Sequence, residues 1–232
     1  MKTKLDNRLL TVASCVKEGA YLADIGTDHA YLPIYLAENG MLSGAVASDI
    51  HKGPIESARK NIAEAGLSHL IHTELTDGLR GIEEYPVTDI AIAGMGGMMI
   101  AGILDAAPFI RERRTRLILQ PMQHIPELRA DLAKKGYRIE KEVQTTAEGK
   151  FYQIICAVYD GKIKEISDIE AMLGAYNIAH KHDNKENFTA LCKRHLDILN
   201  ERIKGMEKGG HDASAERALA EKITAELSEI EQ

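Results

Sequence analysis

No stretch of this 232-residue chain reaches the run of about twenty apolar residues that a bilayer crossing needs. The opening Met1-Lys2-Thr3-Lys4-Leu5-Asp6 lacks the apolar core of a signal peptide, so a cytoplasmic protein without membrane attachment is expected. Cysteine is scarce: Cys15, Cys156 and Cys192 stand far apart with no CxxC pair. That removes a disulfide framework and a zinc-like ligand spacing, so no metal is expected and the three thiols read as small buried residues. Positive charge is outnumbered, with 29 Lys and Arg against 35 Asp and Glu and a net charge of −6. This excludes a generally basic nucleic-acid coat but leaves room for a local basic face on an acidic body. A hydrophobic share of 44% over this length suffices for one well-buried domain and a smaller appendage.

Missing too is the three-glycine fingerprint of a dinucleotide site. In its place stands Ala23-Asp24-Ile25-Gly26-Thr27-Asp28-His29-Ala30-Tyr31-Leu32-Pro33, where an apolar strand from Tyr21 to Ile25 runs through an acidic turn into a helix over 31–39. Such turns hold ligands at the carboxyl ends of parallel strands. Asp28 stands where a pyrophosphate would need free N–H groups, which disfavours NAD. A cationic cofactor without phosphate, such as S-adenosylmethionine, suits Asp24 and Asp28 electrostatically. The competing reading makes both aspartates helix caps.

Short apolar strands and helical patterns then alternate, as a parallel sheet covered on both faces requires. Strands are expected over 43–48, 69–75, 89–93 and 116–119, with helices over 52–65, 98–106 and 126–135. The stretches 138–145 and 151–159 form a hairpin around Glu148-Gly149, and a helix over 5–16 precedes the first strand. Residues 1–160 thus read as an α/β domain. From 161 to 232 the pattern is helical only: Phe188, Leu191, Cys192, Leu196, Leu199, Ile203 and Met206 recur at helical spacing. Gly209-Gly210 breaks the pattern before Leu219, Ile223, Leu227 and Ile230 resume it, which predicts an antiparallel coiled-coil hairpin. The polar stretch 166–187 reads as irregular, and His180 and His182 as solvated or RNA-facing.

The polar and glycine clusters fall at strand carboxyl ends. Asp49, some two dozen residues beyond the glycine turn, suits both hydroxyls of an adenosine ribose, or else caps the next helix. Asp77-Gly78 can meet the adenine edge. Gly94-Met95-Gly96-Gly97 lies where methyltransferases acting on exocyclic amines show Asn or Asp followed by two prolines. It offers no polar side chain for an amine hydrogen, which favours a ring nitrogen with a lone pair and makes a strong general base unnecessary. The alternative is a glycine turn kept for helix packing.

At these residues the chain resembles the bacterial tRNA (adenine-22-N1)-methyltransferases, the TrmK family. The likeness rests on Leu5 to Leu9 with Arg8, on 24–33, Ser48-Asp49, Asp77-Gly78-Leu79, 93–97 and Gln120-Pro121-Met122, and it covers essentially the first 160 residues. It implies a class I methyltransferase fold, a Rossmann-like α/β sheet, with a carboxyl-terminal helical hairpin that helps grip tRNA. S-adenosylmethionine is expected at Asp24, Gly26, Thr27, Asp28, His29, Asp49, Ile50, Asp77, Gly78 and Gly94. The tRNA substrate is expected at Arg8, Met95, Gly96, Gly97, Gln120, Pro121, Arg113, Arg114, Lys193 and Arg194, in a monomer or weak dimer. No side chain is singled out as a catalytic base. Arg8, the 111–116 arginines and Lys193-Arg194 are expected on one surface. Two other readings stay open: a class I methyltransferase acting on a small molecule or another RNA, and a cofactor-binding module that recruits RNA or protein without catalysis.

Overall fold

The computed structural model describes residues 3–231. Five parallel strands form its centre: β1 (Ala20–Ile25), β2 (Leu42–Asp49), β3 (Ile71–Leu75), β4 (Asp89–Met95) and β5 (Arg116–Pro121). Two longer strands, β6 (Tyr137–Ala147) and β7 (Lys150–Tyr159), add an antiparallel edge, giving the order β3-β2-β1-β4-β5-β7-β6. Their loop is Glu148-Gly149, with φ of 50° and 72°, the left-handed pair a two-residue hairpin demands.

Side chains alternate across each strand, so β1 sends Ala23 and Ile25 to one face and Ala20 and Leu22 to the other. The second face is covered by α1 (Asn7–Ala13), α2 (Tyr31–Glu38) and α3 (Lys52–Glu64), through Val12, Leu32, Ile34, Leu36, Ala58 and Ile62. The first is covered by α4 (Gly97–Asp105), α5 (Phe109–Arg113) and α6 (Ile125–Lys134), through Ile100, Leu104, Ile110, Leu128 and Leu132. The chain changes face between β3 and β4, which makes the gap between β1 and β4 the topological switch point.

The expected elements are all present; α5 comes in addition, and two stretches differ. The first helix is shorter than 5–16: Asp6 caps it by accepting from Leu9 N–H at 2.7 Å, and Cys15 and Val16 lie in the turn that leads to β1. Residues 166–187 are not irregular. They hold α7 (Asp168–Leu173) and α8 (Ala175–Ala179), the former started by a reciprocal capping box between Ser167 and Glu170. Cys15, Cys156 and Cys192 are all buried and unpaired by disulfides, as expected. No described helix is long and apolar enough to cross a membrane.

The carboxyl-terminal helices α9 (Lys185–Lys208) and α10 (Ser214–Glu231) pack on each other and on α7 around Leu173, Phe188, Leu191, Leu199 and Ile223. One buried guanidinium joins them to the sheet. Arg129 of α6 donates to Glu142 Oε1 of β6 at 2.8 Å, to Gln153 Oε1 of β7 at 2.7 Å, and to the carbonyls of Ala171 and Met172 at 2.9 Å each. Burial pushes the Glu142 carboxyl up, while Arg129 holds it down. His195 of α9 lies in the same environment, so the basic run Lys193-Arg194-His195 does not act together. Burial, reinforced by Arg129 and Arg194, lowers this imidazole to about 4 and keeps it neutral.

Removing one partner strands a buried charge. Arg129→Ala should destabilise the protein by about 3–5 kcal/mol in urea unfolding, and replacing both Arg129 and Glu142 by apolar residues of similar size should recover part of that loss.

Candidate cofactor and acceptor site

The carboxyl ends of β1, β2, β3, β4 and β5 form one rim, and the turn after β1 is its centre. Gly26 has φ +76°, a conformation that side chains rarely adopt, and a Cβ there would press at 2.1 Å on the flexible Met95 methyl, which would have to shift. Its N–H and that of Thr27 donate to Ser48 O of β2 at 2.8 and 2.9 Å, tying the turn to the next strand end. Thr27 is buried, and its hydroxyl accepts from Ala30 N–H at 3.0 Å. Asn61 of α3 donates to the His29 carbonyl at 3.0 Å, a brace that no local pattern announced. His29 stacks on Tyr31 at 5.0 Å and sits 3.2 Å from the exposed Asp28.

Neither Asp24 nor Asp28 caps α2, which has no side-chain cap at all; its entry is Ala30 in the left-handed region. Asp24 is instead a buried carboxyl raised to about 6, because burial outweighs the Thr27 hydrogen bond and the field of Arg8. Asp49 does not cap α3 either. Its Oδ1 accepts from His51 N–H at 2.7 Å, which turns the carboxylate across the end of β2, with Ile50 exposed beside it. Thr76 N–H donates to Asp49 O at 3.0 Å, so Asp77 and Gly78 follow at the adjacent strand end. Three acidic groups at neighbouring strand ends, an exposed isoleucine and a backbone-only turn fit a cationic, adenosine-bearing cofactor.

The opposite wall is the 94–97 segment. Gln120, fully buried, has its Oε1 fixed by two donors, Arg8 Nη1 at 2.9 Å and Gly94 N–H at 3.1 Å. Its Nε2 donates to Pro121 O at 3.2 Å and faces Met122 Sδ at 3.4 Å. Gly94 is exposed, and the nearest atom a Cβ there would meet is Arg8 Nη1 at 3.8 Å, so this wall opens outward under a cation. Gly97 serves packing: its N–H donates to Gln123 O at 2.8 Å, and a Cβ would meet the His124 carbonyl oxygen at 2.4 Å. The N–H groups of Gly94 and Gly97 are therefore both engaged within the protein.

The expectation of one basic surface fails for Arg113 and Arg114. Arg113 donates to the carbonyls of Glu83 and Tyr85 at 2.7 and 3.0 Å, and Arg114 ends α5, both just ahead of β5 and thus at the amino end of the sheet. Arg116 is engaged there too, with Cys15 O at 2.7 Å and Asp89 at 3.1 Å. The α5 turn must deliver the chain to the start of β5, so its charges cannot reach the rim. Arg8 and Arg194 do lie towards the rim: they sit 5.9 Å over the rings of Tyr152 and Phe151, at the tip of the β6–β7 hairpin. Lys193 is exposed next to Arg194.

Two substitutions test these assignments. Folded Asp24 keeps its proton up to about 6 while the unfolded carboxyl releases it at the ordinary 3.8, so stability declines as pH rises through that window. Asp24→Asn should melt higher than the parent above about pH 7, by the equivalent of roughly 3 kcal/mol, and equally below about pH 4, while losing cofactor affinity. Gly97→Ala should lower stability by about 1–3 kcal/mol in thermal unfolding, because the contact it makes is with backbone.

A family model described as a methyltransferase domain matches residues 5–155. The chain is 42% identical over 165 residues to the tRNA (adenine(22)-N(1))-methyltransferase of Bacillus subtilis, an alignment spanning 68% of this chain and 69% of that protein. The crystal structure of the B. subtilis m1A22 tRNA methyltransferase TrmK superposes with a TM-score of 0.79 at 31% identity, covering 99% of this chain and 98% of that one. A Streptococcus pneumoniae structure in complex with S-adenosyl-L-methionine superposes with a TM-score of 0.83 at 32% identity, covering 97% and 100%. Agreement of this degree along the segment that builds the sheet and its rim means that the chain belongs to the tRNA (adenine(22)-N(1))-methyltransferase family.

Proposed function

We propose that this protein methylates N1 of adenine 22 in tRNA, using S-adenosylmethionine. The observation that carries the reading is the rim itself: Asp24, Asp49 and Asp77 at adjacent strand ends, opposite a 94–97 wall without a polar side chain, in a chain 42% identical to an enzyme named for that reaction.

Asp49 is assigned to the ribose hydroxyls and Asp77 to the exocyclic amine of the cofactor adenine, each charged hydrogen bond adding roughly 1.5–3 kcal/mol. Gly26 lets the backbone of the turn pass close to the cofactor, and Ile50 offers the adenine an apolar flank. When bound, S-adenosylmethionine supplies an electrophilic sulfonium methyl, which the N1 lone pair accepts with no proton leaving. Positive charge passes from sulfur to purine, so the acidic rim holds one cation before and after the step. The residues then have to align and to exclude water rather than to move a proton. Gln120, its oxygen committed to Arg8 and Gly94, holds the acceptor wall in place.

Residues 161–232 serve in this reading as the tRNA-binding appendage, with Lys193 and Arg194 joined by Arg8 at the rim. A tRNA substrate carries a cytoplasmic location with it. Phosphate contacts are required despite the acidic total, and binding through them weakens steeply with salt.

Incubation with labelled cofactor and a mixed tRNA pool, followed by nucleoside analysis, should yield 1-methyladenosine, and Asp49→Ala should abolish both the product and cofactor binding. Label in N6-methyladenosine would overturn the role given to the 94–97 wall; absence of label from every tRNA would overturn the reading as a whole.

A further inference from the structure

Eight large apolar side chains are exposed among the described residues, and six of them (Tyr31, Ile50, Leu75, Met98, Met99 and Met122) sit on segments leaving the carboxyl ends of the strands. Half of that set is methionine: Met98, Met99 and Met122 are 53%, 62% and 50% exposed. The two segments that carry them are tied together, Met122 N–H to Met95 O and Gly97 N–H to Gln123 O, both at 2.8 Å. Met122 Sδ lies 3.4 Å from Gln120 Nε2, the other end of the amide that receives Arg8 and Gly94. The patch therefore continues the acceptor wall outward.

A flat base needs a surface for its face as well as alignment of its edge. The wall offers little of one: Gly97 has no room for a side chain against the His124 carbonyl, Gly94 carries none, and Met95 is partly buried with its methyl against Gly26. Thioethers are flexible and polarisable, and they make favourable contacts with aromatic rings. We propose that Met98, Met99 and Met122 form a sulfur-rich platform that receives the face of the acceptor adenine once it leaves the tRNA stack. The inference rests on the methyl-transfer reading above. The occupant is a nucleobase rather than an apolar peptide, because the patch borders Arg8 and the acceptor wall, and base extrusion has to be compensated at the place where the base arrives.

The test uses the full chain and a tRNA transcript carrying 2-aminopurine at the acceptor position, beside the unlabelled transcript for turnover. The Met98→Ala/Met99→Ala/Met122→Ala variant should lower the single-turnover methylation rate by roughly tenfold and lose the fluorescence rise of base extrusion, with cofactor affinity held within about twofold. The corresponding triple Met→Leu variant, which keeps an apolar surface, should restore extrusion and most of the rate. Unchanged rate and fluorescence in the alanine variant would overturn the platform, as would a parallel loss of cofactor affinity, which would assign the patch to the cofactor. Failure of the parent protein to methylate tRNA would instead remove the reading on which the platform rests.

Discussion

Burying both faces of a parallel sheet is the constraint from which the rest follows. With α1, α2 and α3 on one face and α4, α5 and α6 on the other, the strands contribute apolar side chains to two cores and have only their ends left for polar chemistry. The backbone groups at those ends are the ones that no ladder satisfies. They are taken up by exchanges between neighbouring turns: Gly26 and Thr27 to Ser48, Thr76 to Asp49, and Met122 to Met95. These exchanges set the acidic groups of three strands and the glycine wall of a fourth beside one another.

The rim is costly for the fold. Asp24 is buried with its proton held to about 6, so at neutral pH the native state carries a carboxylate in a place that disfavours it. Exposed methionines and isoleucine around the same rim leave apolar surface in water. A chain selected for stability alone would bury or replace these groups. Their concentration at the switch point is the mark of a binding surface.

Much of this was legible in the sequence because it is local. The period of apolar residues located every strand and both long helices, and the offset of Asp49 from Gly26 marked a carboxylate at a strand end beside the turn, which is where the fold puts it. Long-range pairings were not legible. Nothing near Asn61 marks it as a brace for His29, nothing in 111–116 says that its arginines end up below the sheet, and His195 looks like the third member of a basic cluster until α6 is packed against it. The polar segment 166–187 is a different kind of omission. Ser167 and Glu170 stand at capping-box spacing, a local signal that low hydrophobicity obscured.

The Arg129 junction has a geometric consequence. One guanidinium joins α6, two strands and the last turn of α7, so the helical arm meets the sheet at a defended point instead of a pliant linker. The arm's main shaft, α9, has 24 residues and is about 36 Å long. Because α9 packs on α7, which Arg129 ties to the sheet, this shaft keeps a set bearing to the strands instead of swinging on a hinge.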